Sequence, residues 1–211
     1  MTWEHLYGND EYKGLIPKLS QRSMIIWKLS RIMPQKRLKM ISEGIFFSLL
    51  NYCIELYGNV WGIDRYDDQT RRYSAFTKDD NMKLQIIVNK VLRSLTGLDR
   101  ETHVTTLHDT SGQLSVHQRC ALYTITSVHK TIRQKQPAYS YSQFQPNQAS
   151  VTMRNASRIE YKLSISRGSF YYRGSRLYNN LPDSLIQQAK QSVFKKQAKK
   201  WVLENIPVLP P

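Results

Sequence analysis

The spacing of apolar residues along the chain predicts a mostly helical protein. In four long stretches these residues recur every three or four positions, which is the pattern of a helix with one buried face. The four predicted helices span residues 12–32, 35–57, 78–95 and 115–133, and a shorter helix is expected around 102–108. The clearest stripe belongs to the third helix and consists of Leu84, Ile87, Val88, Val91, Leu92 and Leu95.

One stretch alternates as a β-strand does. In residues 158–166, every second side chain is apolar or aromatic, beginning with Ile159 and Tyr161. The preceding residues, 135–152, are rich in Gln, Ser and Pro, a composition typical of a linker or a poorly ordered loop. A final amphipathic helix is predicted over residues 192–205. The chain is therefore expected to be mainly α, with one small β element near its C-terminal end.

The charge balance points to a polyanionic partner. The 211 residues include 31 Lys and Arg against 16 Asp and Glu, for a formal net charge of +15. Between residues 154 and 200 there are eleven basic residues and two acidic ones, so 11 − 2 = +9 lies in less than a quarter of the chain. A local basic block of this kind is a stronger indication of nucleic-acid binding than a high net charge alone.

The sequence predicts an intracellular protein, nuclear or cytoplasmic, with no membrane partner. It has no apolar run long enough to span a bilayer and no signal peptide at its N-terminus. Its two cysteines, Cys53 and Cys120, cannot form a disulfide framework, which favours a reducing compartment.

Residues 166–201 combine arginines, aromatic residues and glycines, followed by a basic helix. Arginines can contact phosphates, aromatic rings can stack on bases, and glycine lets a backbone approach closely. The alternative is a packed turn whose aromatic rings are core and whose arginine stems cover it. The residues expected to contact nucleic acid in this segment are Arg167, Tyr171, Tyr172, Arg173, Arg176, Lys195, Lys196, Lys199 and Lys200.

No complete catalytic site can be assembled from the sequence. The Tyr66–Asp68 segment resembles a polymerase metal site, but its flanks are polar and lack strand alternation, so a solvated loop is favoured. His103 and His108 have no third metal ligand nearby, and no Gly-rich phosphate loop is present. We therefore expect no catalytic residues, no metal, no cofactor and no small-molecule substrate.

Four blocks of the sequence, in this order, resemble the C-terminal region of reverse transcriptases from non-LTR retrotransposons. They are the Thr2–His5 segment with the helix after it, residues 34–61, the run LQIIVNKVLRSLTG at 84–97, and residues 170–194. The last block resembles the family's tail pattern of Y-R-G, L-(W/Y)-N-x-L-P and S-x-x-x-F-K-x-x-L. The resemblance covers all but residues 134–152. It implies that the catalytic palm and fingers would lie before residue 1.

The resemblance also implies a domain order and a partner. Residues 1–64 would form a thumb-like helical unit, 65–134 a second helical unit, 135–152 a linker, and 153–211 a basic aromatic tail. A polymerase thumb grips the template–primer duplex, so the implied partners are RNA or DNA and the missing palm and fingers. The thumb face would add Lys18, Arg22, Lys28 and Arg31 to the contacts.

Two functions are then in competition. The first is a nucleic-acid-binding fragment of an RNA-directed DNA polymerase, without polymerase activity of its own. The alternative is a degenerate remnant of a retroelement that acts only as a helical protein-interaction module or has no function.

Overall fold

The structure is a computed structural model that describes residues 14–52, 54–57, 78–146, 159–161 and 170–208. In these residues the chain is mainly α-helical, as the apolar spacing predicts. In chain order the helices are α1 (Leu15–Leu29), α2 (Gln35–Ser42), a π-helical turn (Glu43–Phe47), α3 (Ser48–Asn51), α4 (Ile54–Tyr57), α5 (Lys78–Thr96), α6 (Val104–Ser111), α7 (Val116–Gln134), α8 (Ala138–Gln143), α9 (Phe170–Asn179), α10 (Asp183–Ile186) and α11 (Gln191–Asn205). None of these described helices has the length and apolarity needed to cross a membrane.

The chain divides into two compact units. The described part of the first comprises residues 14–52, 54, 78–117 and 208, and that of the second comprises 55–57, 118–146, 159–161 and 170–207. The predicted boundary at 64/65 lies outside the described residues, and the predicted domain order stays a prediction. Helices α1 and α2 share a unit with α5 and α6 because α1 packs along α5.

The first unit is organised around α1 and α5. Helix α1 buries Leu15, Leu19 and Ile26, which lie on one face of the helix. Helix α5 buries most of its predicted stripe, and α6, which packs against α5, contributes Leu107. Each fully buried Leu or Ile stabilises the fold by about 1.5–3 kcal/mol relative to an exposed one, so this stripe makes a large contribution to the stability of the unit.

A π-helical turn interrupts the second predicted helix. The prediction of one helix over 35–57 is wrong, because α2 passes into the turn Glu43–Phe47 and α3 then ends at Asn51. The neighbouring rings of Phe46 and Phe47 are both fully buried and meet edge to face, with centroids 5.1 Å apart. In a regular α-helix, adjacent side chains point about 100° apart, and the wider π turn shifts the helical register here.

The second unit is built on α7 and α11. From residue 118 onwards α7 buries Ala121, Ile125 and Val128. The inward face of α11 is formed by Phe194, Ala198 and Val202. Both faces follow the helical repeat that the sequence predicts.

Two short strands lie beside these helices. Strand β2 (Ile159–Tyr161) confirms part of the predicted 158–166 strand and pairs antiparallel with β1 (Phe144–Pro146). Helix α8 and β1 fall inside the predicted linker, so the expectation of a loop is wrong for residues 138–146. The physical reason is Phe144, whose ring is buried and holds this polar stretch against the unit. The rest of the predicted strand, residues 162–166, lies outside the described residues.

Candidate nucleic-acid interface

Four exposed lysines lie on the outer side of α11. Phe194, Ala198 and Val202 are buried on the opposite face of the same helix. The outer side therefore faces solvent. The exposed residues are Lys195, Lys196, Lys199 and Lys200, and together they are called the lysine face. They form two i, i+4 pairs, in which neighbouring side chains lie on the same strip of helix surface.

The lysine face lies in a run of sequence, residues 184–203, that contains no acidic residue. Between Asp183 and Glu204 the sequence contains five lysines and no Asp or Glu. The Lys200 ammonium lies 3.8 Å from the Glu204 carboxylate, and both side chains are well exposed. The Lys195 ammonium lies 5.4 Å from the ring centroid of Tyr123. Exposed pairs of this kind contribute about 0–1 kcal/mol, so they hold the lysines only weakly.

The aromatic and arginine-rich segment has a different role from the one expected. It is a helix, α9, and most of its side chains are buried. Tyr172 and Arg173 retain only 6% and 8% of their exposure, so neither can stack on a base or contact a phosphate in this structure. Their assignment to the interface is therefore corrected: α9 is covered on several sides by other parts of its unit.

Arg173 is a buried cation. Burial lowers the pKa of its guanidinium to about 10, and the nearby Cys120 thiol acts in the opposite direction. The same burial raises the pKa of the Cys120 thiol to about 12. At neutral pH the arginine is therefore charged and the thiol protonated.

The other predicted residues of this segment are partly buried and make specific contacts. The hydroxyl of Tyr171 lies 3.2 Å from Ser140 Oγ, and its ring meets Phe144 edge to face. Arg176 Nη1 donates to the Tyr172 hydroxyl at 2.6 Å. These contacts stabilise α9, which favours the packed alternative for this segment. Arg167 lies outside the described residues.

Close helix packing explains one of the glycines in α9. A Cβ atom on Gly174 would lie 2.6 Å from Val128 Cγ2 of α7, well inside van der Waals contact. Glycine fits here because the Val128 side chain lies directly against the backbone of α9, whereas the sequence pattern suggested that the glycine admits a ligand.

The L-Y-N-x-L-P pattern also has a structural role. Asn179 accepts a hydrogen bond from the Ile159 backbone N–H at 2.9 Å and donates one to the Ile159 carbonyl at 2.8 Å. Its amide therefore pairs with β2 as a neighbouring strand would. Tyr178 is fully buried, and its hydroxyl lies 3.0 Å from His129 Nδ1.

His129 is a buried histidine of the second unit, and none of the sites predicted from the sequence includes it. Its ring is fully buried and stacks on Phe194, with centroids 3.6 Å apart. Burial, aided by the positive charge of Arg133, lowers the pKa of His129 to about 4, while the Gln188 backbone acts in the opposite direction. The helical repeat could have found it, because His129 lies four residues after Ile125 and three before Ile132, on the face of α7 that apolar spacing predicts to be buried.

In the first unit, the polar positions of the 84–97 block hold the fold together. Gln85 Nε2 donates to Asn89 Oδ1 at 2.7 Å and lies 3.0 Å from His108 Nε2, while its Oε1 accepts from the Val116 backbone N–H. His108 Nδ1 lies 2.8 Å from the Gln113 carbonyl. A carbonyl can only accept, so Nδ1 carries the proton and Nε2 is free to accept from Gln85.

The end of the same block is structural as well. Arg93 donates to the backbone carbonyls of residues 99, 100 and 102, closing the turn after α5. Gly97 has φ of +72°, a left-handed conformation that glycine adopts without strain. The residues of this block that resemble a polymerase sequence are thus explained by burial and helix termination.

The four residues predicted to contact nucleic acid on the thumb face differ in how exposed they are. Lys18, Lys28 and Arg31 are exposed on or just after α1. Arg22 is half-buried and donates from Nη1 to the Ile45 carbonyl, which attaches α1 to the π-helical turn. Three of the four remain accessible, and the fourth has a structural partner.

No metal site is found in the described ranges, where no group of three His, Cys, Asp or Glu side chains could hold an ion. Asp67 and Asp68 lie outside those ranges. Comparison with known proteins gives no match to a protein-family model, to a curated protein or to a solved structure.

Proposed function

We propose that this chain binds nucleic acid without sequence preference through the lysine face of α11. The observation that carries the proposal is the set of four exposed lysines on one helix, within a run of sequence that contains no acidic residue. Repulsion between like charges at i, i+4 destabilises a helix by about 0.2–0.5 kcal/mol per pair. A polyanion laid along the helix would relieve that repulsion, which is the physical reason for the proposal.

The proposal includes the origin that the sequence resemblance implies. We take the chain to be the C-terminal fragment of a non-LTR retrotransposon reverse transcriptase, which binds RNA or DNA but does not polymerise. The preferred ligand is then a template–primer duplex. Primer extension with Mg²⁺ on an RNA template should give no product, and product formation would contradict this part of the proposal.

Salt dependence provides the first test. If all four lysines contact phosphates, log K should fall with log salt with a slope of about −3.6 on a duplex, from a slope of −0.9 per contact. The probe is an RNA–DNA hybrid, with single-stranded RNA of equal length beside it. A slope near zero would refute binding through phosphate contacts.

Charge reversal locates the contacts. In the lysine-face variant, Lys195, Lys196, Lys199 and Lys200 are all changed to Glu. Arg173 and Arg176 are left unchanged, because the structure gives both of them internal roles. The matched control reverses four exposed cations of the first unit, and its substitutions are Lys36→Glu, Arg37→Glu, Lys39→Glu and Lys90→Glu.

Both variants lower the net charge by the same amount, so only position distinguishes them. We expect the lysine-face variant to lose almost the whole salt slope, and the control to keep most of it. Equal weakening of both would mean that total charge attracts the nucleic acid and that α11 is not a site.

A further inference from the structure

The outer surface of α1 carries large apolar side chains that no part of the described structure covers. Met24, Ile25 and Trp27 are each about half exposed, and Ile32, shortly after the helix, is 77% exposed. Helix α1 already buries an apolar face through Leu15, Leu19 and Ile26, so its outer side should be polar. Clustered exposed apolar residues of this kind indicate an interaction surface.

Basic residues are mixed among these apolar side chains. Lys28 lies between Ile25 and Ile32 in sequence, and the Arg31 guanidinium lies 4.0 Å from the ring centroid of Trp27. Residues 14–42 contain seven basic residues and no acidic one. The basic apolar face is defined here as Met24, Ile25, Trp27, Lys28, Arg31 and Ile32.

The chemistry of this face narrows the choice of partner. A second copy of the chain is disfavoured, because pairing the two faces would bring like charges together. Nucleic acid would satisfy the cations but leave the tip of Ile32 without an apolar partner. In protein–protein interfaces lysine is depleted relative to the rest of the surface, whereas Lys28 lies among the apolar residues of this face.

We propose that the basic apolar face binds the surface of an anionic membrane. At the surface of an anionic membrane, phosphate groups lie next to acyl chains over the whole interface. A protein surface in which cations alternate with apolar side chains is complementary to it. Lys28 and Arg31 would contact phosphates, and Ile25 and Ile32 would enter the boundary between headgroups and acyl chains. Trp27 suits the same depth, because its ring is amphipathic.

Binding of this kind needs no membrane-spanning segment. The expectation of no membrane partner rests on the lack of such a segment in the sequence, and that reasoning does not apply to a helix lying on the surface. Met40, 69% exposed on α2 and next to Lys39, repeats the same pairing of an apolar tip with a cation.

The test is sedimentation of the full chain with vesicles of phosphatidylserine and phosphatidylcholine, beside vesicles of phosphatidylcholine alone. The apolar variant carries Ile25→Ser and Ile32→Ser. Its matched control carries Ile86→Ser and Leu203→Ser, which are also exposed aliphatic positions but lie outside the face. We expect the apolar variant to bind the anionic vesicles about tenfold more weakly, and the control to stay within about twofold of the unaltered chain.

A second measurement remains valid even if the Ile25→Ser and Ile32→Ser variant fails to fold. Brominated lipids should quench the fluorescence of Trp27, measured as the difference between the unaltered chain and Trp27→Phe. Absence of quenching, or equal binding by the apolar variant and the unaltered chain, would overturn the proposal. Loss of RNA binding in the apolar variant, with vesicle binding intact, would assign the face to nucleic acid instead.

The lysine-face variant separates this proposal from the function proposed above. It should lose hybrid binding and keep most of its vesicle binding, because α11 does not belong to the basic apolar face. If it loses both, attraction to membranes is a property of the lysine face, and the proposal for α1 is wrong.

Discussion

Acid is expected to destabilise the second unit through a single residue, His129. Its ring is fully buried against Phe194, and its pKa is lowered to about 4 from an ordinary 6.5. Between these two values the unfolded chain binds a proton that the folded chain does not. The free energy of unfolding therefore rises with pH across this window, and the stability present above pH 6.5 is lost as the pH falls towards 4.

The magnitude follows from the two pKa values. The loss is about 2 kcal/mol between pH 7 and pH 5, and about 3 kcal/mol once the pH is below 4. For a chain of this size, 2 kcal/mol corresponds to a decrease of about 4–8 °C in Tm. Carboxylates titrate mostly below pH 5, so the pH 5–7 window isolates histidine.

Urea denaturation followed by circular dichroism at pH 5, 6 and 7 measures this effect. His129→Asn removes the titrating ring, so the decrease in its free energy of unfolding from pH 7 to pH 5 should be about 2 kcal/mol smaller than in the unaltered chain, whatever its absolute stability. His103→Asn is the control, because His103 is exposed at the start of α6. If His129→Asn keeps the full decrease of about 2 kcal/mol, the burial argument is refuted.

Three further predictions concern buried positions. Gly174→Ala should destabilise the chain by about 1–3 kcal/mol in urea denaturation, because the added methyl group would overlap Val128. Gln85→Leu should cost about 2–3 kcal/mol in the same assay, since it leaves buried hydrogen-bonding groups of the first unit without their partner. In a Cys53→Ser background, Cys120 should react with iodoacetamide at pH 8 only after unfolding, because it is buried and its pKa is raised to about 12.

Each of these predictions has a control in the same chain. Gly44→Ala adds the same methyl group where nothing lies within 4 Å, so it should cost no stability. The control for Gln85→Leu is Ile86→Ala, at the next position of α5. Ile86 is exposed, so this substitution should change the free energy of unfolding by less than about 1 kcal/mol. Labelling of Cys120 in the folded chain at the rate of a free thiol would contradict the last prediction.

The lysine face could be predicted directly from the sequence. Along α11 the spacing of Phe194, Ala198 and Val202 leaves only one side for the lysines, and no other arrangement of the helix keeps four charges in water. The same logic recovered α5 and α7 to within one or two residues at each end. Apolar periodicity is enough to predict a helix and its orientation wherever one face is buried and the other is exposed to solvent.

The roles of α9 could not be predicted in this way. Its apolar residues do recur at helical spacing, but Tyr172, Arg173 and Ser175 lie off that stripe and are buried too, because the helix is covered on several sides. Burial of Arg173 follows from how other elements surround it, and that information lies far away in the chain. On α1, the spacing from Leu15 and Leu19 already places Ile26 on the buried face, but only the packed fold decides whether another element covers the outer side.

Local pattern thus determined the helices and the place of the lysine face, because those depend on residues three and four positions apart. Tertiary structure decided the partner of β2 and the burial of Tyr172 and Arg173, because each depends on contacts between segments distant in sequence. A side chain shows its chemistry in the sequence, but whether water can reach it is a property of the packed fold.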